Sequence, residues 1–342
     1  MNINQIIQID PYSSTPKYTQ VVSCILTAIE SGLLQKEDAM PSINELSASL
    51  DISRDTAEKG YKHLKKLGVL DAVPGKGYFI ADGVEKERHK ILLLFNKLSA
   101  HKKIIYDAFV AALGPESQID FYIYNNDFNL FKKILLERLD HYSHYVLITH
   151  FLEGDPPVQD LIEKIPKEKL IMLDKKMPYM QANMGYSSVY ESFEEDIYGA
   201  LKAASDRLKR YKRLVLIFPD KSYYPQEIIK GFRRFCESSG FDHIIVPGTQ
   251  SFEMTRGDVY ITVMEDDLVR IIELIKDRSL ETGKDIGVIS YNETPIKRII
   301  LSGITTISTD FISMGKQAAA LILEGKKALI PIAFKIHLRD SL

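Results

Sequence analysis

Apolar residues at 18, 21, 22, 25, 26 and 29 keep a helical spacing until Ser31-Gly32 stops the run, which predicts a helix from Tyr18 to Ile29. Pro41 then precedes "SINE", where Ser42 is placed to cap a second helix and Glu45, three residues on, to reach back to the cap. That helix is short, ending near Leu50. Ser53 is the expected cap of a third, in which Ala57, Tyr61, Leu64 and Gly68 follow one face while Asp55, Lys59, Lys62 and Lys66 follow the other. "VLDAV" and "YFIAD" then flank Pro74-Gly75-Lys76-Gly77, two short strands around a glycine turn. Three helices followed by a hairpin, with the third helix basic on its outer face, is the order of a winged helix-turn-helix.

The pattern changes at residue 91. Continuous apolar runs follow at 91–95, 121–124, 145–149, 170–173, 214–218, 243–246, 259–263 and 286–290, most of them separated by amphipathic stretches such as "IIYDAFVAAL" and "LVRIIELIK". Apolar strands alternating with helical crossovers imply an α/β fold with parallel sheets covered on both faces, whose ligands sit beyond the carboxyl ends of the strands. The polar stretch "ADGVEKERHK" separates the two patterns. The expected organisation is a helical unit with a wing at 1–82, a linker at 83–90 and an α/β unit at 91–342.

Composition narrows the classes. A chain of 342 residues with 45% apolar and 26% charged residues has room for two cores and no signature of disorder. Cys24 and Cys236 form no short-spacing motif, so neither a metal site nor a redox pair is expected. No leader-like amino terminus and no apolar run of spanning length is visible, so the expectation is a cytoplasmic protein with no membrane partner. His141, His144 and His150 cluster in sequence without metal-ligand geometry, and no Walker loop, dinucleotide fingerprint or catalytic triad is present. No cofactor and no enzymatic activity are expected.

The net charge of -2 does not by itself point to nucleic acid, and residues 1 to 83 hold eight Lys/Arg against ten Asp/Glu. Placement does: six of the eight basic residues fall between Arg54 and Lys76. Arg54, in the first turn of its helix, can aim a planar donor fork at guanine or at a phosphate, and hydroxyls and helix-start amides can hold phosphate oxygens. Lys59 and Lys62 lie further along the same face.

"YTQVVSCILTAIESGLL", "AMPSINELSASLDISRDTAEKGYKHLKKLGVL" and "VPGKGYFIAD" together resemble the amino-terminal winged helix of GntR-family transcription regulators over nearly all of residues 15 to 82. The resemblance implies that Ser42, Ser53, Arg54 and Thr56 meet DNA backbone or bases, and that Gly75, Lys76 and Gly77 bring the wing to the minor groove. Asn44 and Glu58 depart from the family, which often has arginines there. Residues from about 90 to 342 look like the two-lobed, periplasmic-binding-protein-like effector domain of LacI/GalR regulators, most closely in "DIGVISYNETP" and "GITTISTDFISMGKQAAALIL".

Within that domain the polar residues directly after strands are the effector candidates: Asn96, Lys97, Thr149, His150, Asp220, Glu265, Asp266, Asn292 and Glu293. Aromatic residues suited to the apolar face of a sugar are Phe128, Phe151, Tyr190 and Tyr223. Any one of these could simply cap the next helix; the set is what points to a ligand. The expected protein is a homodimeric transcription regulator that binds double-stranded operator DNA at an inverted repeat and is released by a small sugar, L-fucose being the first to test. The alternatives are a winged helix fused to an aminotransferase-like catalytic half, and a sugar-binding module without DNA function.

Overall fold

The structure is a computed structural model that describes residues 6–81, 89–115, 117–152, 157–176, 185–220, 224–250 and 253–342. Most of the expected linker therefore lies outside the described residues.

The amino-terminal unit contains α1 (Lys17–Glu30), β1 (Ala39–Met40), α2 (Ile43–Leu50), α3 (Arg54–Lys66), β2 (Leu70–Val73) and β3 (Gly77–Ile80). Both expected caps form. Ser42 accepts from the Glu45 amide while the Glu45 carboxylate accepts from the Ser42 amide at 2.8 Å, and Ser53 accepts from the Thr56 amide at 3.2 Å. The apolar face of α3 (Ala57, Tyr61, Leu64) joins Val21, Ile25 and Leu46 in one core. Gly60 sits where α3 crosses α1, close to the Tyr18 carbonyl and Val21. The wing is the antiparallel pair β2–β3, with β1 added on its other edge.

Two parallel sheets follow. The first lobe begins with β4 (Lys90–Phe95), α4 (Ala100–Leu113), β5 (Gln118–Ile123), α5 (Phe128–Leu136), β6 (His144–Leu147), β7 (Leu170–Asp174) and β8 (Ser187–Tyr190). The second runs through α6 (Phe193–Ala203), β9 (Arg213–Ile217), α7 (Glu227–Ser239), β10 (Asp242–Val246), β11 (Asp258–Thr262), α8 (Glu265–Asp277), β12 (Gly287–Tyr291) and β13 (Thr305–Thr309). The chain then returns: α9 (Phe311–Leu323) packs on the first lobe, β14 (Leu329–Pro331) pairs with β8, and β15 (Phe334–His337) pairs with β13. The strand orders are β14-β8-β7-β6-β4-β5 and β10-β9-β11-β12-β13-β15, all parallel except the last pair.

Two glycines set the helix packing. A Cβ on Gly315 of α9 would strike the Ile105 carbonyl of α4, and one on Gly231 of α7 would strike the Glu194 carbonyl of α6. Close helix approach of this kind tolerates only hydrogen. Because the chain passes between lobes three times, after β8, after β13 and between β14 and β15, the carboxyl ends of both sheets face one cleft.

Candidate functional site

The first surface is the winged helix. Arg54, Lys59 and Lys76 are exposed, as are Gly75 and Gly77 at the tip of the wing. Gly75 and Gly77 have φ of 76° and 101°, which lets the tip turn tightly around Lys76. The hydroxyl of Ser42 is spent on capping, and that of Ser53 lies 2.8 Å from the Thr56 hydroxyl. Lys62 pairs with Glu58 at 2.7 Å, so this basic residue is partly neutralised on the helix itself. Tyr61 donates to the Pro41 carbonyl at 2.7 Å and fixes α3 against the start of α2.

The second surface is the cleft. Its inner cavity, about 30 Å³, is walled by Asn96, His101, Lys102, His150, Asp174 and Glu191 of the first lobe and by Tyr224, Tyr291 and Asn292 of the second, with Phe193 and Phe311 at the crossings. An outer cavity of about 550 Å³ shares His101, Tyr224, Tyr291 and Asn292 with it and adds Lys97, Glu265 and Asp266.

Of the residues expected from the sequence, Asn96, His150 and Asn292 line the inner cavity, and Lys97, Glu265 and Asp266 the outer one. Thr149 is buried beside His150 without lining either. Phe128 packs edge-on against Phe151, 5.5 Å between ring centres, beneath the first sheet. Tyr190 lies under the Lys176 ammonium at 4.9 Å, and Asp220 is exposed; neither lines the inner or the outer cavity. Tyr223 lies outside the described residues. Glu293 points away into a separate cluster, accepting from Arg339 at 2.8 Å, from Arg298 at 3.0 Å and from the Thr306 hydroxyl.

The sequence reading missed the charged centre of the site. Asp174, the last residue of β7, accepts from the Lys102 ammonium and lies 3.1 Å from His150 Nε2. Burial alone would raise its carboxyl; the Lys102 charge and the His150 hydrogen bond outweigh it and hold Asp174 well below the usual range. Glu191 is the opposite case. Burial first, and then the adjacent Asp174 charge with which it hydrogen-bonds, push it well above the usual range. Two buried carboxyls in hydrogen-bond contact need a proton between them, so Glu191 donates to Asp174. His101 is held neutral, down to about 3, by burial and the neighbouring Lys102 charge.

Two buried polar groups on the wall of the inner cavity have no partner among the described residues. Asn96 donates through Nδ2 to Asn126 at 2.7 Å but its buried Oδ1 has no partner, and the buried Tyr291 hydroxyl, across the cleft, has none either. Asn292 is set by Lys297, whose ammonium is 1% exposed and donates to the carbonyls of Tyr291 and Asn292, both at 2.9 Å, while meeting Glu265 at 2.9 Å.

A pH dependence follows from Glu191. Because its folded-state carboxyl titrates above its ordinary value, its contribution is fully favourable below that value and is lost as pH rises through the folded one. Glu191→Gln keeps the donor to Asp174 and cannot ionise. The variant should therefore gain stability over the parent progressively as pH rises above the ordinary glutamate range in urea unfolding; parallel profiles would mean that Glu191 is ionised in the fold.

Residues 17–80 match the family model "Bacterial regulatory proteins, gntR family", and residues 207–331 match "Periplasmic binding protein-like domain". The HTH-type transcriptional repressor YtrA of Bacillus subtilis (strain 168) is 30% identical over 113 residues, 32% of this chain and 85% of that protein. The chain belongs to the gntR family. The arabinose metabolism transcriptional repressor of Halalkalibacterium halodurans is 21% identical over 343 residues, covering 90% of this chain and 88% of that one. Among solved structures, the transcriptional regulator CelR in complex with cellobiose is superposable with a TM-score of 0.60 at 12% identity, over 89% of this chain and all of that one (100%). This gntR-family chain is thus a transcription regulator with a periplasmic-binding-protein-like body, and not an enzyme. No helix among the described residues is long and apolar enough to cross a membrane.

Proposed function

We propose that this regulator represses transcription from operator DNA and is released when an uncharged sugar enters the cleft. The winged helix, with Arg54 and the Lys76 wing exposed, is the DNA-reading end, and the family's repressors support that direction of control. A cytoplasmic homodimer on an inverted repeat follows from two such modules reading one face of the duplex.

The observation that carries the ligand class is the pair of unmatched buried groups, Asn96 Oδ1 on one lobe and the Tyr291 hydroxyl on the other. An amide oxygen needs a donor, and a phenol can serve as either partner. Hydroxyls of a free sugar meet both demands. A phosphate dianion supplies acceptors only, and the cation nearest the inner cavity, Lys102, is already paired with Asp174. Phe193, Tyr224 and Phe311 offer apolar faces for a sugar ring.

A melting-temperature panel tests this directly, because a ligand that binds only the native state raises its stability. L-fucose, L-arabinose and cellobiose, each beside a phosphorylated counterpart, should give one free sugar that raises the melting temperature while its phosphate does not. A rise with the phosphate alone would overturn the uncharged class. The matching free sugar should also dissociate the protein from operator DNA.

A further inference from the structure

The winged helix is joined to the first lobe by more than the linker. Residues 10–15 form an arm fastened on one side to α1, where the Asp10 amide donates to Gln20 Oε1 and Gln20 Nε2 donates to the Thr15 carbonyl, both at 2.8 Å. On the other side the arm lies along β5. The Ser14 amide donates to the Phe121 carbonyl at 2.9 Å, and the Phe121 amide donates to Thr15 Oγ1 at 2.6 Å. Asp10 accepts from the Tyr122 hydroxyl and from Arg138, both at 3.0 Å, and the Arg138 guanidinium stacks 4.4 Å from the Tyr122 ring centre. Cavities of about 440 Å³ and 290 Å³ open between the two domains on either side. A contact made by a few hydrogen bonds, flanked by open space, is one that a small bias can shift.

The same strand runs back to the cleft. Just beyond β5, Asn125 and Asn126 both adopt left-handed backbone, φ 50° and 60°, which side-chain-bearing residues seldom hold twice in succession. Asn96 holds Asn126 there, through its side chain at 2.7 Å and through its carbonyl, which accepts from the Asn126 amide at 3.0 Å. Asn96 also carries the unmatched oxygen of the cleft.

We propose that residues 10–15 are the element through which occupancy of the cleft reaches the winged helix, with Asn126 and Arg138 as positioning residues for that coupling. A ligand hydroxyl on Asn96 acts on the group that holds the strained turn; the turn ends the strand on which the arm is seated; the arm carries α1. This rests on the effector reading of the cleft.

Hydrogen exchange of the full chain, without sugar or DNA, tests the route through the amides of Ser14 and Phe121. Arg138→Ala should speed their exchange by about tenfold or more, and the swapped pair Asp10→Arg/Arg138→Asp should restore protection. Asn126→Gly, which keeps the backbone angle and the amide bond to the Asn96 carbonyl but loses the side-chain bond to Asn96, should speed the same two amides at the far end of the strand. Unchanged exchange of Ser14 and Phe121 in Asn126→Gly overturns the proposal, even if Arg138→Ala has its effect, since the arm would then be deaf to the cleft. A variant that melts far below the parent is replaced by Arg138→Gln or Asn126→Ala, which also lack the ion pair and the side-chain acceptor, and the same two amides are read. Failure here leaves the effector reading standing, because the melting panel examines that separately.

Discussion

Replacing Asp174 by alanine should cost about 3 to 5 kcal/mol of folding stability, because it strands the Lys102 ammonium in a site that is 3% exposed. Glu191 decides where in that range the loss falls. In the parent its proton is retained by burial and by the charge of Asp174. With Asp174 gone, the repulsion disappears and Glu191 can ionise beside Lys102, recovering part of the lost pairing. Asp174→Ala/Glu191→Gln removes that recourse and should be the less stable of the two. Lys102→Met/Asp174→Leu, which removes both charges, should lie nearer the parent, since a buried pair replaced by apolar groups often costs little. Urea unfolding of the four proteins at one neutral pH checks the order; equal stability of Asp174→Ala and the parent would mean that the pair is solvated.

The same residues show which parts of the site's centre were legible in the sequence. Asn96, His150 and Asn292 were legible because each stands just beyond an apolar run, where a parallel sheet delivers its ligand contacts. Asp174 obeys the same rule, standing directly after the run at 170–173, and was passed over; it closes β7 as an in-register ladder residue opposite Tyr190. Lys102 and His101 come from the first turn of α4 and reach the cleft from a helix start, a position no strand-end rule covers. Glu293 misled because it neighbours Asn292. Asn292 has φ of 63°, and Glu293 beyond it pairs with Arg298 and Arg339 outside the cleft.

The fold shows a parallel limit. Strands with continuous apolar runs were legible to within a few residues, and so were the three helices and hairpin of the winged unit. β8 and β13 were not among the runs because their buried positions are filled with hydroxyls: Ser187, Ser188, Thr305 and Thr306 are fully buried. Some of these hydroxyls and their backbone groups are satisfied from the far carboxyl end of the chain, as where the Thr305 amide donates to Ser341 Oγ at 2.7 Å and Ser341 Oγ donates to the Val288 carbonyl at 2.7 Å. A strand whose polarity is answered by residues that distant in sequence leaves no local apolar signal.

At the other end of the molecule, Arg54→Ala should weaken binding to operator DNA by about 1 to 3 kcal/mol and relax discrimination at one base position. The residue is exposed in the first turn of α3, and its backbone is held by the Ser53 cap rather than by its own side chain, so the fold should survive the change. Lys76→Ala probes a different contact. Its side chain stands at the exposed tip of the wing between Gly75 and Gly77, where an ammonium meets the duplex chiefly as a charge. The loss should therefore be smaller, uniform across sequences, and accompanied by a drop of about 1 in the salt slope. Titrating operator and scrambled duplexes at several salt concentrations separates the two. If Arg54→Ala lowers affinity equally for both duplexes, then Arg54 holds phosphate and the sequence is read by other residues; if it changes neither, α3 is not the reading helix.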